Sequence, residues 1–152
     1  VITVVDAAGQ LLLNVLEWKP FLVKPNQQEL EELFDVKLTT VDEIIPYAKK
    51  VQEKGARNVL VSMGGKGALL VAENGQTYYR EAPKGKVKNS VGAGDSMVAG
   101  FLAGWLTEKD YEKAFCMGLA AGSASAFSEN LAEKEEVEKL LLEEVEKLLV
   151  DK

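Results

Sequence analysis

Short apolar runs alternate with amphipathic segments along this chain. β-Branched and aromatic residues form runs of the length of a buried strand at 2–5, 21–23 and 58–63. Between these runs, apolar positions recur at helical spacing and predict helices over 9–17, 26–34 and 40–54. Gly55 follows the third helix and is expected to be its left-handed C-cap. Strands that alternate with helices indicate an α/β sandwich with right-handed crossovers.

A hairpin signal follows in the middle of the chain. Asn74 and Gly75 separate two strand patterns, at 68–72 and 76–81, and this dipeptide is typical of tight two-residue turns. Antiparallel strands therefore join a mostly parallel sheet. Further helices are predicted over 93–106, 111–127 and 134–150. Because no Pro-, Gly- or Ser-rich linker divides the sequence, we expect a single α/β domain over residues 1–152.

The composition and net charge limit the kinds of partner that the chain is expected to bind. The 152 residues are 47% hydrophobic, which is enough for a buried core, and carry 24 acidic against 18 basic side chains. A net charge of −6 argues against nucleic-acid or anionic-membrane partners, and no apolar run is long enough to span a bilayer. A small molecule is the better expectation. The lone cysteine, Cys116, cannot form an internal disulfide, which predicts a reducing, cytoplasmic location.

The most informative motif is NSVGAGDSMVAGF at residues 89–101, a glycine turn that leads into a helical pattern. Main-chain N–H groups of Gly92, Ala93 and Gly94 at a helix start would form an anion-binding concavity. Asp95 would then accept a proton from an attacking hydroxyl while the concavity holds a developing phosphoryl charge. This combination predicts phosphoryl transfer to an alcohol. The alternative is that Asp95 only caps the helix behind a glycine turn.

A second motif, KPNQQE at residues 24–29, lies at a predicted turn from strand to helix. Asn26 and Glu29 are three residues apart and share one side of the first helical turn, so they offer oxygen ligands to a hydrated Mg²⁺. Lys24 offers a positive charge to nucleotide phosphates. The alternative is a capping box, in which Asn26 is the N-cap and Glu29 reaches back to it.

A third motif, SMGGKG at residues 62–67, ends a predicted strand. Ser62, Gly64 and Gly67 could line the ribose or the phosphates of a nucleotide, or the segment could simply turn the chain into the hairpin. The motif is not a Walker A loop, because no Gly-Lys-Ser/Thr follows at the required spacing, and it does not satisfy G-x-G-x-x-G.

Taken in this order, the three motifs resemble ribokinase-like sugar kinases, the phosphofructokinase B family. The motif KPNxxEL at residues 24–30, together with AAGSA at residues 120–124, most resembles the branch that contains 1-phosphofructokinase and tagatose-6-phosphate kinase. The resemblance implies a three-layer α/β/α sandwich and ATP-dependent phosphorylation of a sugar phosphate. It covers almost the whole chain.

The resemblance also implies roles for individual residues. Asp95 would be the catalytic base, and the backbone of Gly92, Ala93 and Gly94 the anion hole. Asn26 and Glu29 would organise Mg²⁺ through water. The residues that would line ATP are Lys24, Ser62, Gly64 and Gly67. Gly122 and Ser123 would border the adenine, although a run of small residues is equally typical of close helix packing.

Because members of this family are usually about twice as long, the resemblance implies that the chain corresponds to the nucleotide-binding half only. We expect the N-terminal half, with the sugar-binding residues and a lid, to be absent, and activity alone to be small. The strand at 2–5 would then lack a neighbour, which predicts a homodimer, a higher oligomer, or dependence on the missing half.

Two other classes stay open at this point. The chain could be a non-catalytic nucleotide-binding or scaffold module, which would fold without transferring phosphate. It could also be a flavodoxin- or receiver-like domain, since the length fits and Asp6 follows the first predicted strand. A receiver requires an acidic cluster there, and Asp6 is a lone acid, which argues against that class.

Overall fold

The computed structural model describes residues 2–82 and 93–127, with side chains as far as residue 124. The chain separates into two compact units, Val1–Glu81 and Ala82–Lys152. The expectation of a single domain stays a prediction. Residues 83–92, which include the start of the glycine motif at 89–101, and the helix expected at 134–150 lie outside the described residues.

The first unit contains a five-stranded mixed sheet with the order β1-β2-β3-β4-β5. The strands are β1 (Val4–Val5), β2 (Leu22–Val23), β3 (Asn58–Ser62), β4 (Ala68–Val71) and β5 (Thr77–Arg80). The first three strands are parallel, and β3, β4 and β5 are antiparallel. The expected mixed α/β architecture, with an antiparallel hairpin on a parallel sheet, is therefore confirmed.

Three helices connect the parallel strands: α1 (Gly9–Leu16), α2 (Gln27–Phe34) and α3 (Val41–Glu53). Their boundaries follow local capping chemistry. Thr40, the N-cap of α3, accepts a hydrogen bond from the Glu43 main-chain N–H through its hydroxyl at 3.2 Å. Apolar side chains of all three helices pack with β2, β3 and β4 into one core that includes Leu12, Leu30, Ile44, Val59 and Leu69.

Gly55 is not the left-handed C-cap that the sequence predicted for α3. Lys54, in right-handed helical conformation, is the C-cap of α3, and Gly55 has φ +142°, outside the left-handed helical region. A Cβ at Gly55 would overlap the main-chain carbonyl of Leu16. Glycine is required here because two segments of backbone approach closely, and not because the helix needs a left-handed cap.

The second unit consists, within its described part, of two helices joined by two residues: α4 (Ala93–Glu108) and α5 (Tyr111–Phe127). Glycines let their backbones approach. A Cβ at Gly104 would lie 2.8 Å from Ala114 Cα, and one at Gly118 would lie 2.8 Å from the Met97 carbonyl oxygen. The predicted start of α5 at Tyr111 is confirmed, and α4 continues two residues beyond its predicted end. No helix among the described residues has the length and hydropathy to cross a membrane.

Candidate functional site

The carboxyl ends of β2 and β3 bring two of the three sequence motifs side by side. Asn26, beyond the end of β2, forms a parallel bridge with Ser62, the last residue of β3. The Ser62 main-chain N–H donates to the Pro25 carbonyl at 3.2 Å, which continues the ladder into the loop. Since ligands of open α/β sheets bind beyond the carboxyl ends of the strands, this edge is the candidate site in the first unit.

Asn26 and Glu29 form the capping box that the sequence left as an alternative. Asn26 Oδ1 accepts from the Glu29 main-chain N–H at 2.7 Å, and Glu29 Oε2 accepts from the Asn26 main-chain N–H at 3.3 Å. A further bond joins Asn26 Nδ2 to Glu29 Oε1 at 3.2 Å. The box satisfies the first N–H groups of α2 and holds both side chains in one orientation.

This donor set also fits a hydrated magnesium ion. Carboxylate and amide oxygens are hard ligands, and each oxygen retains a lone pair beyond the bond that it accepts in the cap. Asn26 is exposed and Glu29 partly exposed, so both reach water at the edge of the sheet. Among the described residues, no three acidic, His or Cys side chains gather closely enough to ligate a metal directly. Contact through water, which magnesium prefers to keep, is therefore the arrangement that these residues suit.

Lys24 follows β2 and directs its ammonium toward the end of β1. Its Nζ lies 3.9 Å from the Asp6 carboxylate. The Lys24 side chain is 14% exposed and that of Asp6 is 58% exposed, so the lysine stem is packed while the pair is open to solvent at the carboxylate. A point charge held at this edge is suited to phosphate oxygens. In the sequence Asp6 is a lone acid. Its proximity to Lys24 arises from the pairing of β1 with β2, which the sequence does not reveal.

The glycine motif after β3 forms a 3₁₀ turn over Gly64–Lys66. Gly64 has φ +59° and Gly67 has φ +105°, and the Gly67 N–H donates to the Gly64 carbonyl at 3.0 Å. The turn therefore needs glycine at both positions. Nothing lies within 4 Å of a Cβ built on Gly64 or Gly65, so this backbone faces open space and a ligand could approach it closely.

In the second unit, Ala93, Gly94 and Asp95 form the first turn of α4. Asp95 is exposed, and Ala93 and Gly94 are half-buried. A negative side chain in a first turn complements the positive end of the helix dipole. Gly92, the other expected member of the anion hole, lies outside the described residues.

Gly122 and Ser123 lie on α5, opposite the start of α4. A Cβ at Gly122 would come within 3.1 Å of the Ala93 carbonyl oxygen and 3.2 Å of Met97 Cβ. Ser123 is 9% exposed. The structure therefore accounts for Gly122 by close helix packing, which was the alternative from sequence. Its proposed contact with adenine stays a prediction.

A mixed sheet with polar loops beyond its parallel strands, followed in the chain by a pair of helices, defines an α/β protein with a candidate ligand site at the carboxyl edge of the sheet. Residues 1–138 match the pfkB family of carbohydrate kinases, and the chain belongs to this family. The resemblance drawn from the three motifs is confirmed.

Particular relatives narrow the comparison. The chain is 53% identical over 140 residues to a 1-phosphofructokinase from Bacillus subtilis, covering 92% of this chain and 46% of that protein. It is 37% identical over 131 residues to a D-tagatose-1-phosphate kinase from Bacillus licheniformis, covering 86% of this chain and 43% of that protein. The chain thus spans about half the length of the curated relatives that it matches.

A solved structure confirms the ribokinase-like fold. Ribokinase from Arabidopsis thaliana, complexed with ribose and ATP, superposes with a TM-score of 0.80 at 25% identity, over 93% of this chain and 47% of that protein. The agreement extends over nearly all of the chain. The α/β class expected from the alternation of strands and helices is therefore the class of its structural relatives.

Proposed function

We propose that this chain is the nucleotide-handling part of a kinase that transfers a phosphoryl group from ATP to a hydroxyl of a sugar phosphate. The observation that carries the proposal is the Asn26–Ser62 bridge, which joins two motifs at the carboxyl edge of the sheet. Membership of a carbohydrate kinase family and the ATP complex of the plant ribokinase support it.

Each motif has a role in this proposal. Lys24 neutralises phosphate charge, and the open backbone of Gly64 and Gly65 approaches the nucleotide, between Ser62 at the end of β3 and the buried Gly67 that closes the turn. Asn26 and Glu29 hold magnesium through water, and that ion would offset charge on the phosphates. Gly122 and Ser123 border the adenine.

In the second unit, Asp95 accepts the proton of the attacking hydroxyl. Its exposure and its place in the first turn of α4 support this role, because a carboxylate that is open to solvent can be reached by a hydroxyl and can accept its proton. The N–H groups of Gly92, Ala93 and Gly94 stabilise the charge on the transferred group.

The acceptor is proposed to be a ketohexose phosphate, of the fructose 1-phosphate or tagatose phosphate type. The names of the two Bacillus relatives support it, and both specify a sugar that carries its phosphate at position 1. Because the chain spans 46% of the Bacillus subtilis protein, we propose that the acceptor site needs polypeptide that is absent from this sequence and that turnover by the isolated chain is small.

Calorimetry with ATP and Mg²⁺ tests the proposal directly. The isolated chain should bind the nucleotide, and Lys24→Met should weaken binding by about tenfold, the value of a charged hydrogen bond to phosphate. Lys37→Met is the matched control, because Lys37 is 92% exposed beyond the far end of α2. Absence of binding by the wild-type chain would overturn the nucleotide role and favour a scaffold module.

A chimera tests the reaction. This chain would replace the matching 140 residues of the Bacillus subtilis enzyme, and ADP release would be followed with fructose 1-phosphate, tagatose 1-phosphate and tagatose 6-phosphate. We expect turnover with at least one of them. A folded chimera that binds ATP but is inactive with all three would contradict the proposed acceptor class.

We also propose that the isolated chain self-associates, as a homodimer or a higher oligomer, or depends on the complementary half. The edge strand β1 supports this, since Val4 and Val5 are only half-buried, and Leu11 and Trp18 are 67% and 79% exposed. If light scattering at micromolar concentration gives the mass of a monomer, self-association is contradicted. The buried Cys116, the one cysteine of the sequence, supports the proposal of a cytoplasmic location.

A further inference from the structure

Asp6 and Lys24 are neighbours because of the register of the sheet. Val5 on β1 pairs with Val23 on β2, and Asp6 and Lys24 are the next residues of the two strands. Register partners in a parallel pair point to the same face, so the carboxylate and the ammonium leave the sheet on one side, 3.9 Å apart.

The Lys24 and Asp6 side chains differ in solvent exposure. Lys24 is 14% exposed, which restricts its stem, whereas Asp6 is 58% exposed and remains hydrated. Bringing a phosphate to Lys24 places its negative charge close to that of Asp6. The carboxylate therefore compensates the lysine when no anion is present and opposes an anion that arrives.

We propose that Asp6 is the resting counter-ion of the nucleotide site: it pairs with the Lys24 ammonium at the carboxyl edge of the sheet, and an incoming polyphosphate must displace it. The proposal rests on the proposed function, because it takes Lys24 as the phosphate-binding cation. It assigns a role to a residue outside the three motifs. Asp6 acts through Lys24 and does not touch the nucleotide.

This role makes a prediction that a purely structural role does not. Removing the charge in Asp6→Asn frees Lys24 from competition, so metal-free inorganic tripolyphosphate should bind about two- to fivefold more tightly, the range of an exposed ion pair. Asp6→Glu keeps the charge and should restore the wild-type affinity. The gain in tripolyphosphate affinity of Asp6→Asn over wild type should shrink as the salt concentration rises from about 0.05 to about 0.5 M, because salt screens exposed charges.

A double-mutant cycle provides the decisive comparison. Titration calorimetry with tripolyphosphate would be carried out on the wild-type chain and on Asp6→Asn, Lys24→Met and the double variant. We expect Asp6→Asn to change affinity only where Lys24 is present. Glu53→Gln is the matched control, because this exposed acid is at the end of α3 that leads into the amino end of β3.

The outcomes separate this proposal from the proposed function. If the wild-type chain binds tripolyphosphate and Asp6→Asn binds no more tightly, or gains equally in the Lys24→Met background, the role of Asp6 is wrong and the nucleotide site stands. Weaker binding of Mg²⁺-ATP with unchanged tripolyphosphate binding would make Asp6 a metal-organising residue instead, which also overturns the proposal. If no variant binds either anion, both proposals fail. Circular dichroism melts verify that each variant is folded.

Discussion

Asn26 and Glu29 exchange hydrogen bonds in both directions at the start of α2. The Glu29 N–H donates to Asn26 Oδ1 at 2.7 Å, and the Glu29 carboxylate accepts from both the main-chain and the side-chain nitrogen of Asn26. The same two side chains are therefore a structural cap and the proposed magnesium ligands. Any test of the metal role has to preserve the cap.

Glu29→Gln meets that requirement. Glutamine also completes a capping box, so the free energy of unfolding should change by less than about 0.5 kcal/mol, while the loss of charge weakens the water-mediated hold on magnesium. We expect calorimetry to show weaker binding of Mg²⁺-ATP with unchanged binding of metal-free ATP. Glu32→Gln, an exposed acid on the same helix, is the control. Equal binding of Mg²⁺-ATP by Glu29→Gln and wild type would contradict the metal role.

Asp95→Asn separates binding from transfer. Because the carboxylate is proposed to act only as proton acceptor, the isolated variant should bind Mg²⁺-ATP within about twofold of wild type. In the chimera with the Bacillus subtilis enzyme, phosphoryl transfer should fall by at least about 100-fold, the usual contribution of a general base. Asp110→Asn is the control, since Asp110 is another exposed acid of this unit and asparagine keeps its cap on the Lys113 N–H. Retained transfer in Asp95→Asn would refute the assignment.

Gly100→Ala tests the packing of α4 on α5. The added Cβ would lie 2.8 Å from the Met117 carbonyl oxygen and 2.8 Å from Ala121 Cβ. Overpacking costs about 1–3 kcal/mol and exceeds the roughly 1 kcal/mol that alanine gains in helix propensity. We therefore expect net destabilisation in urea unfolding followed by circular dichroism. Gly65→Ala, where nothing lies within 4 Å of the new Cβ, should be close to neutral. If Gly100→Ala is as stable as wild type, α4 and α5 can move apart to admit the methyl group without a loss in the free energy of unfolding.

Glu73 links stability to pH. The hydrogen bond from the Arg57 side chain, with its charge, holds the pKa of Glu73 below its ordinary value near 4.5, against the opposing effect of burial. A lowered pKa in the folded state stabilises the protein above the unfolded pKa, and this contribution is lost as pH falls through the folded value. The side chain is 43% exposed, so solvent screening limits the effect to less than about 1 kcal/mol.

The measurement compares wild type with Glu73→Gln in urea unfolding between pH 7 and pH 3. Wild type should be the more stable at pH 7, and the difference should shrink as pH drops below about 4.5. In an Arg57→Gln background the pH dependence of the difference should disappear. A difference that stays constant over the whole range would show that the Arg57 contact does not change the ionisation of Glu73.

Much of the site was visible in the sequence because its motifs are local. The capping box at Asn26 and Glu29 follows from a three-residue spacing, and the strained turn from Gly64 to Gly67 follows from glycine at positions that need positive φ. Gly122 shows the limit of this reasoning. Its small size has two explanations from sequence, and only the position of Ala93 against it reveals the packing role.

The sequence by itself determined the alternation of strands and helices, the hairpin at Asn74 and Gly75, and the family, because these depend on periodicity, turn chemistry and short motifs. Only the tertiary structure decided which residues meet. Asp6 and Lys24 are separated by a whole helix along the chain and become neighbours through parallel pairing of β1 with β2. Gly55 is required because Leu16 approaches it from another element. Contacts between distant segments depend on register and packing, and no local pattern encodes them.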